Sequence, residues 1–387
     1  MTSHRTFPTL NAVRAAGAIM VLMTHVAFNT GQVAQGWTGA VLSRLDFGVT
    51  LFFILSGFLL SRPLYLARAQ GLRFPPVRTY YWKRALRILP LYWVVVSAAL
   101  LLDPANDGAG PGRWITDLTL TQVYRPSLPS SSLTQMWSLC VEVAFYVVLP
   151  LLVAATGREF RLRRIMAWLA ALAVAGVAWQ SWAATVSDVT HHQSQWLFGF
   201  LPWFCIGMLF AAVSADHVVR PRQSRLDRWG ADLTGCWILA AAVFAVACTP
   251  VAGPRTLIAS TALESGLKCV LYAVAGTFFV LPLVFGPALE GRVRGFLASP
   301  IPFGLGEISF GVFAIHMFVL INGMRVLDIE IFTGQFGFVL VLVAAVTGIL
   351  ATASFYGFER RFLRLKDRGP FGSGTNSTSA RASAHNI

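Results

Sequence analysis

The chain has 387 residues, 56% of them hydrophobic and only 12% charged. Soluble domains carry about 25% charged residues, so the polar groups are too few to cover a water-facing surface. The net charge of +14 does not mark a nucleic-acid binder, because the arginines fall between apolar runs and not along one basic face. With a mean hydropathy of +0.62, the chain reads as an all-α polytopic membrane protein.

Taken in chain order, ten segments approach the ~20 apolar residues that a bilayer span needs. They begin near residues 9, 47, 84, 137, 165, 197, 233, 262, 304 and 336. Basic residues cluster in every second connection. Arg5 precedes the first span. Arg62, Arg68, Arg73, Arg78, Lys83 and Arg84 follow the second, and Arg158, Arg161, Arg163 and Arg164 the fourth. Arg220, Arg222, Arg225 and Arg228 follow the sixth, and Arg292 and Arg294 the eighth. Arg360, Arg361, Arg364, Lys366 and Arg368 follow the tenth. The other connections hold only Arg44, Arg113, Arg125, Arg255 and Arg325. The positive-inside rule therefore predicts both termini in the cytoplasm and a multi-pass location in the cell membrane. The lipid bilayer, with its anionic headgroups, accounts for most of these arginines.

The first apolar run is too long for a signal peptide and is followed by no small-residue cleavage site. It is expected to remain as the first span. Residues 1–366 read as one transmembrane domain, and 367–387 as a disordered cytoplasmic tail low in apolar residues. Asn376-Ser377-Thr378 in that tail matches a glycosylation acceptor by chance. Cys140, Cys205, Cys236, Cys248 and Cys269 lie in or beside spans. They show neither metal-ligand spacing nor a disulfide framework, and read as small apolar fillers. His191-His192 lie in an outward loop and read as solvated, so no metal is expected.

Ionisable groups inside spans are costly, which makes each one a candidate. The first span, LNAVRAAGAIMVLMTH, carries Arg14 and His25 eleven residues apart, about three turns and hence on one face. Arg14 can snorkel; His25 lies too deep. The second, FGVTLFFILSGFLLSRP, is interrupted by Ser56-Gly57, which alone reads best as a small-residue packing site. In YYWKRALRILPLYW, Arg84 and Arg87 share a face at the cytoplasmic mouth of the third span. They suit either an interfacial anchor or a phosphate clamp. The fourth, MWSLCVEVAFYVVLP, holds the lone carboxylate Glu142. LGEISFGVFAIH, in the ninth, places Glu307 near the cytoplasm and His316 deeper. In SFYGFERRF, Glu359 reads as an interfacial ion-pair partner of Arg360 and Arg361.

In order, these six stretches resemble the successive signatures of the membrane-bound acyltransferase family 3. Its members O-acylate sugars, envelope glycans, glycolipids and macrolides. The resemblance runs from about Leu10 to Leu363, and the family's ten-span core agrees with the count above. It implies that Arg14 and His25 are the essential first-span pair, with His25 the general base. It implies that Ser56, Gly57 and Phe58 form the donor-binding turn, and that Arg84 and Arg87 bind the acyl-CoA phosphates. Glu142 then matches the first glutamate of the fourth-span motif. Two departures stand out. The family's Asp-Gly-Leu-Arg is Asn11-Ala12-Val13-Arg14 here, and its second fourth-span glutamate is Val143.

The implied chemistry moves an acyl group from acyl-CoA, a co-substrate and not a tightly bound cofactor, to an acceptor hydroxyl. A neutral imidazole suits proton removal from that hydroxyl. Glu142 would orient His25 if the first and fourth spans pack together. No Ser-His-Asp elbow appears, which favours direct transfer over an acyl-enzyme. A proton-coupled transporter also uses buried Arg, Glu and His, but no internal repeat of the transporter kind is visible. A non-catalytic scaffold would not need His25 or the arginine pair. Three Lys among 31 basic residues suggest a GC-rich bacterial genome. A sugar or polyketide hydroxyl is the favoured acceptor.

Overall fold

The computed structural model describes residues 7–126, 130–188, 192–256, 258–287 and 291–367. Arg5, Arg368, His191, Asn376-Ser377-Thr378 and the tail beyond residue 367 lie outside them. No strand occurs among the described residues. Ten long helices follow one another, joined by short helices and loops. They are α1 (Thr9–Asn29), α2 (Phe47–Ala69), α3 (Val77–Leu102), α4 (Met136–Ala154) and α5 (Leu162–Val186). Then come α6 (Leu197–Val219), α7 (Leu233–Ala247), α8 (Ala262–Val284), α9 (Pro300–Val326) and α10 (Phe336–Ser354).

Nine of these are long and apolar enough to cross a membrane. The tenth, α7, reaches that length only with the short helix Arg225–Ala231, from which it is bent by 90°. The break falls at Asp232, whose side chain accepts from the Gly235 N–H at 2.9 Å and so caps a new helix start. The predicted starts hold to within a few residues, except at α3. That helix begins at Val77, so the tyrosines and basic residues of YYWKR occupy its first turns, not a loop. All five cysteines are free and buried, as small apolar fillers are.

The chain folds around α6. Of its most apolar stretch 83% is buried, against 17% for α5 and 22% for the α10 segment, which face outward. Helix α2 packs against α6 through Gly57 and Gly207. A Cβ on Gly57 would collide with the Phe204 carbonyl, and one on Gly207 with the Ile54 carbonyl. Small residues thus let two backbones touch, as membrane helices without a hydrophobic driving force require. Helix α9 approaches α1 in the same way, with Gly306 against the Asn11 backbone.

The first and last described residues lie at one end of the bundle. Phe7 packs edge-on against Phe58 at 5.0 Å, and Trp82 Nε1 donates to the Leu365 carbonyl at 3.4 Å. At the opposite end, the Phe332 N–H donates to the Asn29 carbonyl at 2.8 Å, joining the end of α1 to the loop before α10. After α10 the helix passes through a π-helical turn, Phe355–Glu359, a feature often found near functional sites. Glu359 departs from the sequence reading there. It is buried, accepts from Ser354 Oγ at 3.2 Å, and forms no ion pair with Arg360 or Arg361 among the described residues. The turn directs its carboxylate inward, where its charge acts on Arg87.

Candidate active site

A cavity lies between α1, α2, α3, α4 and α9. Arg14, Ser56, Arg84, Arg87, Glu142 and Tyr146 line its polar part, and Phe52, Phe310 and Phe313 its apolar part. Five residues singled out in the sequence on four separate helices therefore converge. Its volume is about 110 Å³.

Local sequence sets the walls. Tyr80 and Tyr81, in the first turn of α3, donate to the Tyr146 and Val147 carbonyls of α4 at 3.2 and 2.8 Å. These bonds hold the start of α3 against α4, and one turn later Arg84 and Arg87 turn into the cavity. Arg14 Nη1 donates to Asn11 Oδ1 at 3.1 Å, three residues away on the same helix face. Asn11 thus serves Arg14 as a neutral acceptor where the resembled family has an aspartate.

Glu142 has two hydroxyl partners. Its Oε1 accepts from Ser56 Oγ and from Tyr146 Oη, the latter at 2.7 Å. Tyr146 sits one turn along α4, and Ser56 reaches across from α2. Three guanidinium groups and one carboxylate thus line the cavity, with Glu359 and Glu307 acting on Arg87 from behind the lining; the excess of positive charge at the lining draws in anions. The sequence reading paired Glu142 with His25, and the structure does not bring them together. His25 lies eleven residues beyond Arg14 on α1, a rise of about 16 Å.

His25 has another partner. Its Nδ1 lies 2.8 Å from the Val21 carbonyl and 3.1 Å from His316 Nε2 on α9. The two ring centroids are 5.1 Å apart. His316 is fully buried, whereas His25 keeps part of its surface accessible. Phe313 links the pair to the cavity: its ring lines the cavity wall, and its centroid lies 6.2 Å from that of His316.

Gly57 and Phe58 stand apart from the cavity. Helix α2 runs unbroken through Ser56-Gly57-Phe58, so the three point in different directions and no donor-binding turn forms. Ser56 faces the cavity, Gly57 seats α6, and Phe58 is buried against Phe7. His192 lines a separate polar cleft with Arg113, Asp117 and Trp137. There burial pushes the Asp117 carboxyl above the usual carboxylate range, against the opposing pull of Arg113 at 3.5 Å. Sequence reasoning missed Tyr146, whose i,i+4 spacing from Glu142 was a readable signal. It also missed Phe52 and Phe313, which nothing in a run of apolar residues distinguishes.

Comparison with known proteins agrees with this architecture. A family model described as an acyltransferase domain matches residues 7–356. Acyltransferase MdmB of Streptomyces mycarofaciens is 26% identical over 369 residues, covering 89% of this chain and 86% of its own length. O-acetyltransferase OatA of Staphylococcus aureus (strain NCTC 8325 / PS 47) is 26% identical over 180 residues. That match covers 43% of this chain but only 28% of OatA, so it speaks for the shared segment alone. No solved structure matches. A family model that spans nearly every described helix, on a bundle built to cross a bilayer, decides between enzyme, transporter and scaffold: the chain belongs to this acyltransferase family and is a multi-pass membrane acyltransferase.

Proposed function

We propose that the enzyme transfers an acyl group from acyl-CoA to a hydroxyl of a sugar, glycolipid or polyketide acceptor. The observation that carries this reading is the convergence of Arg14, Arg84 and Arg87 on one cavity at the basic end of the bundle. Guanidinium groups bind phosphate through paired hydrogen bonds. By the positive-inside rule the basic end is cytoplasmic, the compartment in which acyl-CoA is made.

The donor is divided between the mouth and the cavity. The nucleotide stays at the mouth with its phosphates on Arg84 and Arg87. The extended thiol-bearing arm enters alongside Arg14, Ser56 and Glu142. Its amide groups complement what these side chains leave unused: Glu142 Oε2 accepts an N–H, and Arg14 donates to a carbonyl. Arg14 and Glu142, taken as catalytic from the resemblance, thus become donor-binding residues, because the helical rise separates Arg14 from His25. That same rise is the distance the arm bridges, bringing the thioester toward Phe313, whose ring neighbours His316, the partner of His25.

There the acceptor hydroxyl gives its proton to His25 Nε2 as its oxygen attacks the thioester carbon. The C–O bond forms, the C–S bond breaks, and the departing thiolate takes the proton back from the imidazolium. The products are an ester and free CoA thiol. Nothing in these steps consumes an oxidant or a metal.

Incubating the purified enzyme with isotopically labelled acyl-CoAs and a panel of hydroxylated acceptors should yield an acceptor heavier by one acyl group. One thiol should be released per ester, read by mass spectrometry. Ester formation from a different class of acyl donor, with acyl-CoA inert, would overturn the donor assignment. The orientation is separately testable. Reporter fusions after Arg164 and Arg228 should read as cytoplasmic, and fusions at Asp107 and Asp188 as outside. One inverted cytoplasmic site would place the arginine-lined mouth on the wrong side for acyl-CoA.

A further inference from the structure

We infer that His316 is a positioning residue for the transfer: with the Val21 carbonyl it fixes which nitrogen of His25 carries the proton, and it shares the charge when His25 becomes an imidazolium. The inference rests on the reading of His25 as the base.

The hydrogen bonds decide the tautomers. His316 Nδ1 lies 3.0 Å from the Val312 carbonyl and 2.8 Å from the Phe313 carbonyl. Carbonyl oxygens only accept, so Nδ1 carries the hydrogen and His316 Nε2 is left with a lone pair. That lone pair is buried with the rest of the residue, and its partner is His25 Nδ1 at 3.1 Å. His25 Nδ1 also faces the Val21 carbonyl at 2.8 Å. A bare lone pair at His25 Nδ1 would face two acceptors at once. The nitrogen is therefore N–H, donating to both. The hydrogen order runs from His25 Nδ1–H to His316 Nε2, and from His316 Nδ1–H to the backbone of α9.

What remains is His25 Nε2, free of hydrogen and on the accessible residue of the pair. This is the state a general base needs, whereas an unguided imidazole favours the opposite tautomer, with its hydrogen on Nε2. The arrangement repeats the logic of a catalytic triad, in which a third group holds the base's far nitrogen. Here that group is a neutral imidazole. The carboxylate whose charge reaches His25 is Asp46, already bound to Lys268 Nζ at 2.6 Å and to Tyr272. The Val21 carbonyl, which keeps a second lone pair beside its helical bond, accepts from the same Nδ1–H; what His316 adds is an imidazole acceptor able to share the charge. When His25 takes the acceptor's proton, the Nδ1–H···Nε2 bond to His316 becomes charge-assisted, the stronger kind.

The test compares His316→Leu with His316→Gln. Glutamine returns an acceptor near the place of Nε2; leucine matches the size without one. His316→Leu should lower kcat by roughly 10²-fold or more, by analogy with the ~10⁴-fold loss when a triad's orienting group is changed. The apparent Kd for acyl-CoA should not move, and His316→Gln should recover at least tenfold of the loss. In wild-type protein labelled with ¹⁵N-histidine, the His25 signals, assigned by their absence from His25→Ala, should show hydrogen on Nδ1 and none on Nε2. Normal turnover in His316→Leu, equal loss in both variants, or hydrogen on His25 Nε2 would each overturn the inference. If His25→Ala itself turns over normally, the base reading has failed and this one with it. If His25→Ala is inactive while His316→Leu is normal, only the role of His316 is lost. The spectrum stands as a readout should either variant misfold.

Discussion

His25→Ala should lower acyl transfer by about 10²–10⁴-fold, the usual cost of removing a general base, while acyl-CoA still binds. The side chain is not needed to hold α1 in place. That helix is seated by Gly306 against Asn11, by Gly17 against α2, and by the bonds that tie Asn29 and Thr30 to the loop before α10. Truncation does leave the buried His316 Nε2 without its donor, so some destabilisation is expected, on the order of 1–3 kcal/mol for one unsatisfied buried group. Activity must therefore be normalised to monodisperse protein extracted in detergent. His25→Ala and Glu142→Gln should impair different steps. The first should reduce kcat at unchanged donor affinity; the second should chiefly raise the KM for acyl-CoA, since Glu142 touches Ser56 and Tyr146 and not His25. Wild-type kcat in His25→Ala would remove the only imidazole base in the scheme.

Much of this arrangement was legible in the chain. All the spans but α7 announce themselves by length, and an ionisable group inside a span is rare enough to be noticed singly. Arg14, Arg84, Arg87 and Glu142 were visible on that ground and Ser56 only through the resemblance, and the cavity gathers all five. Partners were less legible. Periodicity says which residues share a face of one helix, but not which face of another helix it meets. Glu142 was assigned to His25 because both were deep and polar; the rise along α1 separates them. Gly57 was read correctly from bare physics as a packing residue, and the resemblance moved it into a donor-binding turn that the continuous helix α2 does not form. His316 was seen but given no role, because its role depends on a contact across 291 residues of chain. Glu359 was misread because its neighbours in sequence are arginines, whereas it is buried and its charge acts on Arg87, far away in the chain.

Arg84→Ala together with Arg87→Ala should weaken acyl-CoA binding by roughly 10²–10⁴-fold, taking about 1.5–3 kcal/mol per lost charge-assisted contact and tenfold per ~1.4 kcal/mol. The two residues are one turn apart and face the same ligand, so the combined loss should fall short of the product of the single losses. A second readout separates phosphate binding from anchoring. Wild-type affinity should fall as ionic strength rises, because phosphate contacts at a half-exposed mouth are screened within a Debye length of about 8–10 Å. The double variant should show a flatter dependence. Arg87 needs its own control, since Glu359 is buried nearby and its charge acts on Arg87. Removing Arg87 strips that carboxylate of a compensating cation. Arg87→Lys keeps the cation but loses the planar fork, so it should preserve yield and recover only part of the affinity. If purified double variant binds acyl-CoA as tightly as wild type, with the same salt dependence, the two arginines are interfacial anchors. The donor's phosphates must then be sought elsewhere on the basic end.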